Sequence, residues 1–230
     1  MKKSILAITL FTLLILLVSC SKPGEVTVSK YFQAMAHNDK DTMAAMAVEP
    51  KDLEYKSYKV SVAVEPEKKD FEYPILTEEK KKLEKEKEAQ GAKALEAKYA
   101  LEDLNDAMSE TRRGSRKSEA QQQIKDAETA YKAEEDKYKE VVKKLNDTKK
   151  KLGLEIDMIK MCTGVDQDID LYEGETFIQK VDVKVTLLNG QEKDYVFMLR
   201  QSNLKLQEKT FKGRSIILKI MTAEEFSAEK

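Results

Sequence analysis

Between Thr77 and Leu152 the chain carries 20 basic and 18 acidic residues in 76 positions, with no proline and only two glycines, Gly91 and Gly114. Half of the positions are charged, so this stretch cannot close a globular core of its own. Its apolar residues decide what it can be instead. Leu83, Ala94, Ala97, Leu101, Leu104 and Met108 fall on one frame of alternating three- and four-residue steps, and Ile124, Ala127, Tyr131, Tyr138, Val141, Leu145 and Leu152 fall on a second. Each frame draws a narrow apolar stripe down one side of an α-helix, the signature of a coiled-coil seam. The frames are separated by Thr111-Arg112-Arg113-Gly114-Ser115, where the glycine can end one helix and the serine can cap the next. The spacing predicts an antiparallel coiled-coil hairpin with arms of about 50 Å at ~1.5 Å per residue. Lys87, Gln90 and Glu134 occupy seam positions, which weakens the seam, and the distal half of the first arm is expected to bend or fray.

The flanks read differently. Val28, Tyr31, Phe32 and Met35 mark one face of a helix that breaks at His37-Asn38-Asp39. A second short helix, capped by Asp39 or Asp41, turns Met43, Met46 and Ala47 inward and stops at Glu49-Pro50. From Leu53 to Val64 the residues Tyr58, Val60, Val62 and Val64 alternate with polar ones, as in a strand with one buried face. Strand signals resume after the charged stretch at Thr176, Ile178, Val181, Val183, Val185 and Leu187. Asn189-Gly190 then predicts a hairpin into Tyr195, Phe197 and Leu199. A last strand, Ser215 to Met221, is expected after Lys212-Gly213-Arg214. Helices first and an antiparallel sheet last make an α+β fold, with N-terminal helices on a curved sheet and the helical hairpin inserted between its two parts.

The N-terminus carries an address. Lys2 and Lys3 precede an apolar run from Ile5 to Val18, shorter than the ~20 residues of a spanning helix and arranged as a secretory signal. The run closes on Leu17-Val18-Ser19-Cys20, which resembles the bacterial lipoprotein box. By that resemblance Leu17, Val18 and Ser19 are read by the signal peptidase, and Cys20 is the lipid attachment site and the first residue of the mature chain. The resemblance implies a bacterial envelope protein held to a membrane by its acyl chains, several of which anchor stably where one does not. Ser21 resembles the class directed to the outer membrane where a host has two. Residues 1–19 hold two lysines and no acid, so the mature chain has 39 basic against 42 acidic residues. With Cys20 lipidated, Cys162 has no disulfide partner and reads as a small buried hydrophobe. The expected organisation is a signal peptide at 1–19, a lipidated linker at 20–27, the first part of the α+β domain at 28–74, the coiled-coil insertion at 75–152 and the second part of the domain at 153–230.

Two stretches carry a wider resemblance. Tyr31-Phe32-Gln33-Ala34-Met35 and Asn38-Asp39-Lys40-Asp41-Thr42-Met43 resemble the opening helices of the nuclear transport factor 2-like superfamily, in its lipoprotein branch, and Val181 to Ile220 resembles its closing sheet. The similarity covers roughly residues 25 to 65 and 175 to 221; the coiled-coil insertion departs from it, as does Ser215-Ile216 where the superfamily often has a tryptophan. The resemblance implies a curved sheet and helices around a cone-shaped pocket, used for binding in most members and for catalysis in some.

Chemistry is sparse. A formal net charge of −1, with 41 basic and 42 acidic residues, speaks against a nucleic-acid partner. Two cysteines and one histidine are too few for a zinc site, and no cofactor is implied. His37 reads as a turn residue, Asp39 and Asp41 as caps, Asp182 as water-facing, and Tyr195 as core; with Tyr172, these exhaust the acid–base candidates. Asp166, Asp168, Asp170 and Glu173 alternate like a calcium loop, but Leu171 stands where such a loop needs glycine and Phe177 where it needs glutamate. The expectation is therefore a non-catalytic binding or structural lipoprotein whose hairpin is an interaction arm or spacer. Its tip, Arg112, Arg113, Arg116 and Lys117, reads either as the contact for a protein or an anionic envelope partner or as a solvated turn whose basic residues favour the C-terminal end of the preceding helix. The alternative is an enzyme of the ketosteroid-isomerase type acting in the pocket. An efflux-pump adaptor would also carry a helical hairpin, but the paired lipoyl-like glycine motifs it needs are missing. The sequence sets no oligomeric state.

Overall fold

The computed structural model describes residues 23–110 and 116–228, the side chains of Pro23, Glu110, Arg116 and Lys117 excepted. These residues form two compact units: a helical one, Glu72–Ile156, and a sheet-containing one built from the chain up to Phe71 and from Asp157 onward. The fold is α+β.

In the sheet unit, α1 (Pro23–Ala36) and α2 (Lys40–Met46) lead into β1 (Tyr55–Ala63) and the short β2 (Glu67–Lys69). Asp39 caps α2: its carboxylate accepts from the Thr42 backbone N–H at 3.0 Å and from the Thr42 hydroxyl at 2.6 Å. After the helical unit come a 3-10 turn (Ile169–Leu171), then β3 (Glu173–Leu187), β4 (Glu192–Leu206), β5 (Lys209–Thr222) and a terminal turn of helix, α5 (Ala223–Ala228). The sheet is antiparallel in the order β1-β3-β4-β5, and β2 pairs with β3 beyond the end of β1. Pro66, which has no N–H to offer the ladder, separates β1 from β2. The Gln179 side chain fills that gap by donating to the Val64 carbonyl at 2.9 Å.

Alternation sends the two sets of strand side chains to opposite faces. Val181, Val183, Phe197, Leu199 and Ile217 pack with Val28, Tyr31, Phe32 and Met43 in the main core. Phe32 lies at its centre, stacked on Tyr58 at a ring separation of 4.0 Å and tilted against Phe197 at 5.7 Å. Each such buried side chain contributes about 1.5–3 kcal/mol. The other face carries Arg200, Ser202 and Ile216, all buried.

Several sequence expectations are corrected. A bulge between Val60 and Val62 shifts the register of β1, so Ala63 is buried while Val62 and Val64 face outward, against the expected inward set Val60, Val62, Val64. The strand β5 starts at Lys209 rather than Ser215, and Lys212-Gly213-Arg214 lies within it. The tight turn before it, Leu206-Gln207-Glu208-Lys209, has no glycine or asparagine to announce it, and Gln207 takes the left-handed region at φ 54°. At Asn189-Gly190 the expected hairpin forms with a three-residue loop: Gly190 N–H donates to the Leu187 carbonyl at 2.9 Å, and Gly190 takes φ 84°.

In the helical unit, α3 (Glu72–Glu110) and α4 (Arg116–Thr163) span 39 and 48 residues. That makes them about 58 and 72 Å long at ~1.5 Å per residue, longer than the sequence frames indicated. Pro74 is tolerated because it lies in the first turn of α3. The helix α3 is continuous from Glu72 to Glu110. Two of its polar seam positions are paired: the Gln90 amide donates to the Glu134 carboxylate, which also accepts from Lys137 at 2.6 Å. Gln90 with Glu134, Gly91 with Tyr138, and Glu84 with Lys149 meet across the pair, so the helices run antiparallel. Nor does α4 stop near Leu152: it stays helical through Gly153 to Thr163, and Ile159 and Cys162, on the same three-four frame, are buried in the sheet unit.

Candidate functional site

The space between α1, α2 and the sheet, where a cone-shaped pocket would open, is filled. Tyr31, Phe32 and Phe197 are fully buried there, with Met35 and Met43 beside them. The polar ends of the tyrosines are engaged locally. Tyr31 Oη donates to the Lys51 carbonyl at 3.0 Å and accepts from the Lys51 N–H at 2.8 Å, and Tyr55 Oη donates to the Phe32 carbonyl at 2.7 Å. Burial raises the Tyr31 and Tyr55 hydroxyls above the ordinary tyrosine range.

The acid–base candidates are not brought together. His37 and Asp41 are exposed beside the turn into α2, and Asp39 is held as a cap, its carboxylate lowered chiefly by the Thr42 hydroxyl. Tyr195 belongs to the core, its hydroxyl raised by burial. Asp182 lies on the opposite face and pairs with Lys180 at 2.9 Å. Tyr172 sits edge-on against Phe211 at 5.6 Å. In the acidic loop, Asp166 pairs with Lys160 at 3.2 Å, and no group of three or more potential metal ligands converges among the described residues.

Two arginines that the sequence reading passed over organise the second face of the sheet. The buried Arg200 donates from Nε to Ser202 Oγ at 3.1 Å and from Nη2 to Thr176 Oγ1 at 3.3 Å, with Nη1 3.6 Å from Met158 Sδ. Cys162 Sγ lies 3.8 Å from the Arg200 carbonyl. Arg214 donates from Nε to the Met161 carbonyl and from Nη2 to the Ala45 carbonyl, both at 2.9 Å, so one guanidinium satisfies the C-terminal ends of α2 and α4. The helix α4 itself ends at Thr163 because Gly164 takes the left-handed region at φ 75°, its N–H donating to the Lys160 carbonyl at 2.8 Å.

Two surface concavities remain of note. A cleft of about 400 Å³ is lined by two acids, Glu49 and Glu225, and two bases, Lys51 and Lys219. On the helical unit, a groove of about 410 Å³ is floored by Gly91, Ala94, Tyr131 and Tyr138. Leu95 lines it too and is 47% exposed. Leu95 and Tyr99 lie off the seam frame, and that was the available sequence signal for this surface. The hairpin tip, Arg112 and Arg113 with the side chains of Arg116 and Lys117, lies outside the described residues, as do Leu17, Val18, Ser19 and Cys20. No helix among the described residues is long and apolar enough to cross a membrane. The chain matches no protein-family model, no curated protein and no solved structure.

Proposed function

We propose that this protein is a lipid-anchored lipoprotein of the bacterial cell envelope, acting as a non-catalytic binding or structural module with the helical hairpin as its interaction arm. The observation that carries the non-catalytic part is the filled interior: the volume a substrate would need is occupied by Tyr31, Phe32 and Phe197, and the hydroxyls of Tyr31 and Tyr55 are committed to backbone partners. The same observation counts against the ketosteroid-isomerase type of enzyme, which needs an open cone with converging acid–base groups. Two helices, an edge strand and a closing three-stranded meander, in that order, support membership of the nuclear transport factor 2-like superfamily. Leu17-Val18-Ser19-Cys20 supports the anchor, and Ser21 favours the outer membrane in a two-membrane host.

Metabolic labelling with a fatty acid tests the anchor. Wild type should take up label and appear in the membrane fraction, while Cys20→Ala should lose the label and accumulate as an unprocessed precursor. Equal labelling of the two would overturn the assignment.

A further inference from the structure

We infer that the open end of the sheet's helix-side face, around Lys205 and Lys212, docks on the anionic headgroups of the membrane in which the chain is anchored. The inference goes beyond the anchor at Cys20 and rests on it. Only Ser21 and Lys22 stand between Cys20 and Pro23, the first residue of α1. Three residue steps reach no farther than about 11 Å even when fully extended. The acyl chains therefore hold the start of α1 beside the headgroups, and the sheet unit meets the membrane with the surface that surrounds that point.

How α1 lies on the sheet decides which surface that is. Gly24 is buried against the Gln179 side chain of β3 and Leu199 of β4, where a Cβ would lie 2.8 Å from Gln179 Cδ and 3.0 Å from Leu199 Cδ1. Farther along the helix, Phe32 stacks on Tyr58, whose strand partner is Val185. Gln179 and Val185 are about 20 Å apart along β3 at ~3.3 Å per residue, so the N-terminal end of α1 points toward the Glu173 end of that strand. From there the same face of the sheet carries Glu175 and Glu173 on β3, Lys205 on β4 and Thr210 and Lys212 on β5, all exposed. Lys68, Glu173, Glu175, Lys205 and Thr210 line a cavity of about 350 Å³ on it.

The charges on this face fit an anionic surface. Glu175 is held by Lys68 at 2.6 Å, whereas Lys205 and Lys212 enter no ion pair among the described residues, which leaves two ammonium groups against the carboxylate of Glu173. Headgroup phosphates supply both lysines with partners. So small an excess of charge binds weakly by itself. The anchor makes the contact intramolecular and raises the effective concentration of headgroups at the face.

The test uses the full chain, produced in a bacterial envelope and reconstituted in vesicles of phosphatidylethanolamine and phosphatidylglycerol that contain a headgroup-linked nitroxide lipid as quencher. A fluorophore is placed at Thr210→Cys, or at Leu188→Cys about 50 Å away along β3, in a Cys162→Ala background. Mass spectrometry of the same sample reports the acyl chains on Cys20. The label at 210 should be quenched at least fivefold more strongly than the label at 188. Lys205→Glu combined with Lys212→Glu should lower quenching at 210 at least twofold, with acylation and circular dichroism unchanged. In the acylated chain, equal quenching at the two positions, stronger quenching at 188 or indifference to the charge reversal would overturn the inference and leave the anchor standing. A chain that carries no acyl group on Cys20 would remove the anchor and the inference together.

Discussion

Gly213 shows how one residue can be set by a partner strand rather than by its own neighbours. A Cβ at this position would lie 2.0 Å from the Ser202 carbonyl oxygen, a backbone atom that cannot swing aside. Gly213→Ala should therefore cost about 3 kcal/mol or more, read as a lower urea midpoint with an unchanged m-value. In the sequence this glycine looks like a break before a strand; its close approach to β4 appears only once the strands are paired. Cys162 makes a different prediction. Burial raises its thiol above the ordinary range, opposed in smaller measure by hydrogen bonds with Ser202 and by the charges of Arg200 and Arg214. The folded protein thus holds this proton more tightly than the unfolded chain. The associated stability is fully present below the unfolded thiol value of about 8.5 and is lost as pH rises through the higher folded value. Urea midpoints of the chain from residue 21 should fall above about pH 8.5 in wild type and hold in Cys162→Ala until the tyrosines begin to ionise near pH 10. Parallel profiles for the two proteins would rule the thiol out as the cause.

At the scale of elements, periodicity was the most legible signal. The residues on the three-four frames of α3 and α4 are the least exposed ones along each helix, from Leu83 to Met108 and from Ile124 to Leu152. The end of α4 was not legible, because the frame continues through Glu155, Ile159 and Cys162 without any change of pattern while the surroundings change from helix to sheet. The bulge in β1 was equally silent: Val60, Val62 and Val64 alternate faultlessly, yet the extra residue turns the last two outward. Since the helical unit Glu72–Ile156 is compact in itself, replacing residues 75–152 by a short Gly-Ser bridge from Pro74 to Gly153 should leave one cooperative unfolding transition. The far-ultraviolet helical signal should drop, and calorimetry should still show a single peak. A broad, non-cooperative melt would mean that the sheet unit needs the hairpin to fold.

At the scale of the whole molecule, the proposed arm makes its own prediction through the tip. Changing Arg112, Arg113, Arg116 and Lys117 to Gln removes four positive charges, each worth about 1 kcal/mol beside an anionic surface. Vesicles containing anionic lipid should bind the variant at least about tenfold more weakly at low salt, and wild-type binding should itself weaken as salt is raised. Binding that survives the four changes would make the hairpin a spacer. What the sequence determined by itself was the local and periodic part of this protein: the two long helices, the core faces of α1 and α2, a cap at Asp39 or Asp41 and the hairpin at Gly190. Each follows from contacts between residues close in the chain or from a regular apolar repeat. Tertiary structure alone decided the rest. The filling of the interior by Phe32 and Phe197, the burial of Arg200, the reach of Arg214 to two helix ends and the inward turn of Ala63 all depend on residues distant in sequence, whose meeting is set by strand register and packing.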